Sequence, residues 1–121
     1  MKFLFLAQLI ALISLSVAAT ESPELRGPGS MTESERGEMM SLANAYNQCV
    51  YDTSISNLDV SPDIRAVADF AMGECSPQLE LLESKIIDLG FETYFAEGFS
   101  NQVRTRAVRK LLPELAVRKS R

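Results

Sequence analysis

The stretch CVYDTSISNLDVSPDIRAVADFAMGEC, residues 49–75, decides the fold. It begins and ends on the chain's two cysteines, and its midpoint is Pro62. Ser61 is a good helix N-cap, Pro62 suits a first helical position, and Asp63 complements the positive end of the helix dipole, so a helix is predicted to start near Pro62. Upstream, Met39, Leu42, Tyr46, Cys49, Thr53 and Ser56 recur in steps of three and four, which puts them on one side of an earlier helix. Downstream, Ile64, Ala68, Ala71, Cys75, Leu79, Leu82, Ile86 and Leu89 keep the same stepping. In an antiparallel hairpin, residues equidistant from the turn face each other. Cys49 should therefore meet Cys75, Leu42 should meet Leu82, and Thr53 should meet Ala71.

A Cys49–Cys75 disulfide follows from that register and from the even cysteine count. For a loop of this size the chain-entropy model gives about 3.5 kcal/mol of stabilisation. A reactive thiol is the rival reading, but the chain has no Cys-x-x-Cys and no His, and no basic residue lies within a helical turn of either cysteine.

The ends of these helices also leave marks. Thr32-Glu33-Ser34-Glu35 has the spacing of a capping box, so the first helix should begin there. Gly90 followed by Phe91 reads as a Schellman ending of the second arm. Gly73 and Pro77 lie inside that arm, and Pro77 has no N–H for the Gly73 carbonyl. Because the apolar period crosses Pro77 in phase, one bent helix is expected rather than two.

After Gly90 come Phe91, Tyr94, Phe95 and Phe99, then Gly98 and Ser100 as a break and a new cap. A short aromatic helix should precede a longer one carrying Val103, Ala107, Val108, Leu111, Leu112 and Leu115 on its apolar side. The aromatics are read as core filling, with a ligand groove as the alternative. The fold class expected is thus all-α, with three to five helices: a disulfide-linked antiparallel hairpin, an aromatic turn and a C-terminal basic amphipathic helix.

Charge is segregated along the chain. Residues 20–99 carry 4 basic and 15 acidic groups (net −11), whereas 100–121 carry 7 basic and 1 acidic (net +6). The two parts should attract, and packing of the basic helix on the acidic body is the plainest account. The alternative is a surface for an anionic partner, made by Arg104, Arg106, Arg109, Lys110, Arg118 and Lys119, facing an acidic envelope protein or anionic membrane headgroups. Nucleic acid is not expected, because residues 20–121 sum to net −5 and only three Tyr accompany the Phe residues.

At the other end, Lys2 precedes an apolar run, and Val17 and Ala19 stand three and one residues before a signal-peptidase cut after Ala19. Residues 1–19 are therefore expected to be a cleavable signal peptide, which implies a secreted or periplasmic protein. An uncleaved anchor is the competing reading. Residues 20–30, with two prolines and two glycines, should be a flexible linker, and 31–121 a single helical domain.

Without His there is no imidazole base or ligand, and no phosphate loop, nucleophile elbow, dinucleotide fingerprint, calcium loop or zinc-type cysteine spacing occurs. The carboxylate pairs Glu80/Glu83, Asp59/Asp63 and Glu92/Glu97 read as solvated edges. The expectation is a non-enzymatic protein without catalytic residues, cofactor or metal. Its reading is a protein-binding inhibitor, immunity or accessory factor, or else a membrane-surface protein using its basic helix.

Overall fold

The computed structural model describes residues 24–121, so the signal-peptide reading of 1–19 lies outside the described residues. Four helices follow in order: α1 (Glu33–Ser56), α2 (Ile64–Glu74), α3 (Ser76–Asp88) and α4 (Thr93–Lys119). Short 3-10 turns occur at Pro28–Ser30 and Leu58–Val60. The protein is all-α among its described residues. α2 and α3 form one broken arm that packs along α1, and α4 packs against α1, α2 and α3.

The N-terminus of α1 has both capping-box bonds: the Glu35 N–H donates to Thr32 Oγ1 at 3.1 Å, and the Thr32 N–H donates to Glu35 Oε1 at 2.9 Å. At its C-terminus the Asn57 side chain donates to the Thr53 carbonyl at 2.7 Å. α2 starts two residues later than expected. Asp63 is its cap, accepting from the Arg65 N–H at 2.9 Å, while Ser61 Oγ accepts from the Asp63 N–H at 3.1 Å. α3 ends in a complete Schellman motif, in which the Phe91 N–H reaches the Ile86 carbonyl (3.3 Å) and the Gly90 N–H the Ile87 carbonyl (2.9 Å). Gly90 has φ +91°, a left-handed value that favours glycine at this position.

The expected single bent arm is two helices. Pro77 has no N–H for the Gly73 carbonyl, and a proline in a helix interior costs about 3 kcal/mol, so the chain breaks at Cys75 and restarts with Pro77 in the first turn of α3. The Ser76 hydroxyl donates to the freed Gly73 carbonyl at 2.9 Å, and the Gln78 N–H donates to the Cys75 carbonyl at 3.1 Å.

The opposite correction applies after Gly90. Gly98 and Ser100 make no break, and α4 is continuous from Thr93 to Lys119, with Pro113 exposed near its end. Its buried residues Ala96, Ser100, Val103, Ala107, Leu111 and Leu115 keep helical spacing across Gly98, and this packing outweighs glycine's helix cost of about 1 kcal/mol. A Cβ at Gly98 would meet nothing within 4 Å. Gly98→Ala should therefore stabilise the fold by roughly 0.5–1 kcal/mol in urea denaturation. An unchanged or lower midpoint would mean that the backbone there departs from regular helix.

The core joins Met39, Tyr46 and Val50 of α1, Val67, Ala68 and Ala71 of α2, Leu82 and Ile86 of α3, and Val103, Leu111 and Leu115 of α4, with Cys75 and Phe91 from the junctions. On α1 the buried line is Met39, Ala43, Tyr46, Val50 and Ser54: Met39 and Tyr46 are buried as expected, while Ala43, Val50 and Ser54 are buried in place of the neighbouring Leu42, Cys49 and Thr53. The reason is that α1 packs against three helices rather than one. Among the aromatics, Phe91 is core, Phe95 and Phe99 are half-buried, and Tyr94 is exposed.

The expected flexible linker 20–30 is docked in its described part. Arg26 pairs with Phe91 in a parallel bridge, its N–H donating to the Gly90 carbonyl at 2.9 Å. All five N–H donors of its guanidinium find acceptors. Nη1 reaches Glu35 Oε2 (2.6 Å) and the Leu89 carbonyl (3.0 Å), Nη2 reaches Glu35 Oε1 (2.7 Å) and the Ser30 carbonyl (2.8 Å), and Nε reaches Ser30 Oγ (3.3 Å). The guanidinium also lies 4.4 Å from the centre of the Phe91 ring.

Its bidentate bond, helped by the Thr32 N–H, lowers the Glu35 carboxyl from an ordinary 4.5 to about 2. A carboxyl whose folded value is depressed contributes stability that is present above its unfolded value and lost as pH falls toward the folded one. Urea midpoints should thus decline between pH 4.5 and pH 2 on this account. Glu35→Gln should flatten that part of the profile. An equally steep decline in the variant would assign the acid limb to other carboxyls.

Candidate functional site

The Cys49–Cys75 disulfide is formed, with Cα atoms 5.9 Å apart, and leaves no free cysteine among the described residues. It ties the junction of α2 and α3 to the C-terminal half of α1. Thr53 Oγ1 lies 3.6 Å from Cys75 Sγ, so Thr53 neighbours the cystine itself.

The six predicted basic residues separate into three groups. Arg118 and Lys119 are tied to the body: Arg118 Nη2 donates to the Tyr51 hydroxyl at 2.8 Å, and Lys119 Nζ donates to the Ser61 carbonyl at 2.7 Å. These bonds set the C-terminal end of α4 beside the C-terminal half of α1 and the turn that follows, so the two helices run parallel. Arg106 and Lys110 are exposed on the edge of α4 that faces α1. Arg104 and Arg109 are exposed outside that edge, with Arg104 donating to Asn101 Oδ1 at 3.3 Å.

Between α1 and α4 runs an open groove of about 630 Å³. Its floor is Val50, Ala107 and Leu111; α1 supplies Asn44, Asn47, Gln48 and Tyr51, and α4 supplies Arg106, Lys110 and Glu114. Gln48 Nε2 is engaged by Asp52 at 2.9 Å. The side chains of Asn44, Asn47, Arg106 and Lys110 have no hydrogen-bond partner among the described residues.

The described part of the acidic body makes no ion pair with the basic helix. Among the described residues the salt bridges within 4 Å are Arg26–Glu35 and Lys85–Glu38, neither of which involves α4. α4 is held instead by its apolar face and by the two bonds at its end. Its remaining cations face solvent.

The carboxylate pairs Glu80/Glu83, Asp59/Asp63 and Glu92/Glu97 lie at exposed or half-buried positions, and no cluster of three metal-ligating side chains occurs among the described residues. No helix among the described residues is long and apolar enough to cross a membrane.

The α1 side of the groove was missed from the sequence, where Asn44 and Asn47 read only as a polar face. Their spacing of three was visible, but nothing local shows that α4 returns parallel to α1. The chain matches no protein-family model, no curated protein and no solved structure.

Proposed function

We propose that this chain is an exported, non-catalytic protein that binds another protein of the bacterial envelope or exterior through the basic side of α4, as an inhibitor, immunity or accessory factor would. The observation that carries the reading is the exposure of Arg104, Arg106, Arg109 and Lys110, with no carboxylate of the described residues within salt-bridge distance, on a bundle pinned by a disulfide. Unpaired surface cations speed encounter with an acidic partner and fix its register. Export, with cleavage after Ala19, places the cysteines where a disulfide persists.

The membrane-surface alternative is the weaker reading. A helix lying in a bilayer interface needs a free apolar face, and α4 spends Val103, Ala107, Leu111 and Leu115 on the core. An anionic bilayer would also meet a body of net −11 over residues 20–99.

The test is a pulldown from periplasmic extract at low and moderate salt, with the native protein and with a variant in which all four residues are Gln. A partner held by the native protein at low salt and released by the variant supports the reading. Identical recoveries from both proteins, or none from either, defeat it. N-terminal sequencing of exported protein should begin at Thr20; a start at Met1 would remove the compartment argument.

A further inference from the structure

We propose that the groove between α1 and α4 is a recognition site for an acidic peptide segment of a partner protein, with two carboxylates of that segment seated over Arg106 and Lys110. The inference rests on the protein-binding reading above and names the site and the ligand chemistry. Arg106 and Lys110 are four residues apart on one helix edge, so their backbone positions differ by about 6 Å along the axis. Carboxylates at positions i and i+4 of a helix, or i and i+2 of an extended chain, have that spacing.

The rest of the groove agrees with such an occupant. Val50, Ala107 and Leu111 give an apolar floor for one aliphatic side chain between the charges. Asn44 and Asn47 offer amide donors and acceptors from the opposite wall, as a peptide backbone requires. Glu114 lies one turn beyond Lys110 and repels a third acidic residue, so the ligand's negative charges belong at the Arg106 end. A narrow peptide meets the groove's own charges at contact distance, whereas the acidic surface farther away is screened beyond a Debye length of about 8 Å. A bilayer is too broad to escape that surface.

The experiment compares two charge-matched double variants, Arg106→Ala/Lys110→Ala in the groove and Arg104→Ala/Arg109→Ala outside it. All four side chains are exposed, and unchanged circular dichroism and urea midpoints check that both variants fold. The probe is a panel of fluorescein-labelled dodecapeptides, each with two Glu at i, i+2 or i, i+4 around a Leu, plus a Gln-for-Glu control, read by anisotropy. The tightest acidic peptide should lose about tenfold in affinity with the groove variant, equivalent to roughly 1.4 kcal/mol, and under about threefold with the outside variant. Equal losses would show a general charge effect, and no binding above the Gln control would show no site; either overturns the proposal.

Two further arms separate its failure from that of the protein-binding reading. A pulldown partner kept by the groove variant but lost by the outside variant leaves the broader reading standing and removes the groove. Sedimentation with phosphatidylglycerol vesicles, if both variants lose binding equally, assigns the cations to a membrane and removes both.

Discussion

Opening the Cys49–Cys75 cross-link should lower the unfolding free energy by about 3.5 kcal/mol, the chain entropy released when it is absent, and replacing both cysteines by Ala should lower it by at least as much. The cysteines are 26 residues apart, and the loop they close contains the α1–α2 turn and all of α2. α2 is only 11 residues long, shorter than a helix that persists alone in water, so it depends on its packing against α1. Ala suits the test better than Ser, because Cys75 is fully buried and a hydroxyl there would add the separate cost of an unpaired polar group. Urea denaturation of the native oxidised protein, the same protein under reductant, and the double variant divides the effect. The first two differ only in the cross-link, and the last two only in side-chain packing. A loss below about 1 kcal/mol on reduction would show that the unfolded chain gains little freedom, against the entropic account.

The features legible in the sequence are those whose physics is local or pairwise. The Thr32–Glu35 capping box and the Gly90–Phe91 ending each depend on a few adjacent residues, and both form as the pattern predicts. The cystine was legible because Pro62 marks a turn and the two cysteines are equidistant from it. Pro77 and Gly98 were each misjudged for the same reason. Both hinge on whether tertiary packing outweighs a local penalty, and periodicity alone does not measure that balance. At Pro77 the arm breaks, whereas α4 continues across Gly98, at a cost of about 1 kcal/mol, and across Pro113, so residue type alone does not decide the outcome.

Arg26 and the groove were hidden for different reasons. The segment around Arg26 has little to bury, so composition marks it as a linker, yet one guanidinium with a full set of acceptors docks it against the start of α1 and the turn after α3. Apolar content does not register that kind of stabilisation. The groove was hidden because its two walls come from residues 44–51 and 106–114, whose meeting depends on the whole course of the chain between them. The basic wall was identified from charge, whereas the amide wall carried no charge to draw attention.

Phe91→Ala should be as damaging as loss of the disulfide, at about 3–5 kcal/mol, because the ring is fully buried at the corner where three parts of the chain meet. Its N–H completes the Schellman ending of α3, its backbone pairs with Arg26, and its ring lies 4.4 Å under the Arg26 guanidinium and 5.5 Å from the Phe95 ring. Truncation leaves a cavity beneath the guanidinium and removes the aromatic face that the cation rests on. The global loss should therefore come with a local one, in which the arm from Glu24 to Met31 detaches while α1 to α4 still form. Amide exchange at Arg26 should rise, and trypsin should cut after Arg26, a bond protected in the native protein by the pairing with Gly90 and Glu92. Phe91→Leu separates the two contributions. It keeps most of the buried volume, so global stability should fall by roughly 1.5 kcal/mol or less, but it has no ring for the cation. Cleavage after Arg26 that rises in Phe91→Leu nearly as far as in Phe91→Ala would show that the ring face holds the arm. Cleavage that tracks global stability alone would assign the docking to Glu35 and the backbone carbonyls.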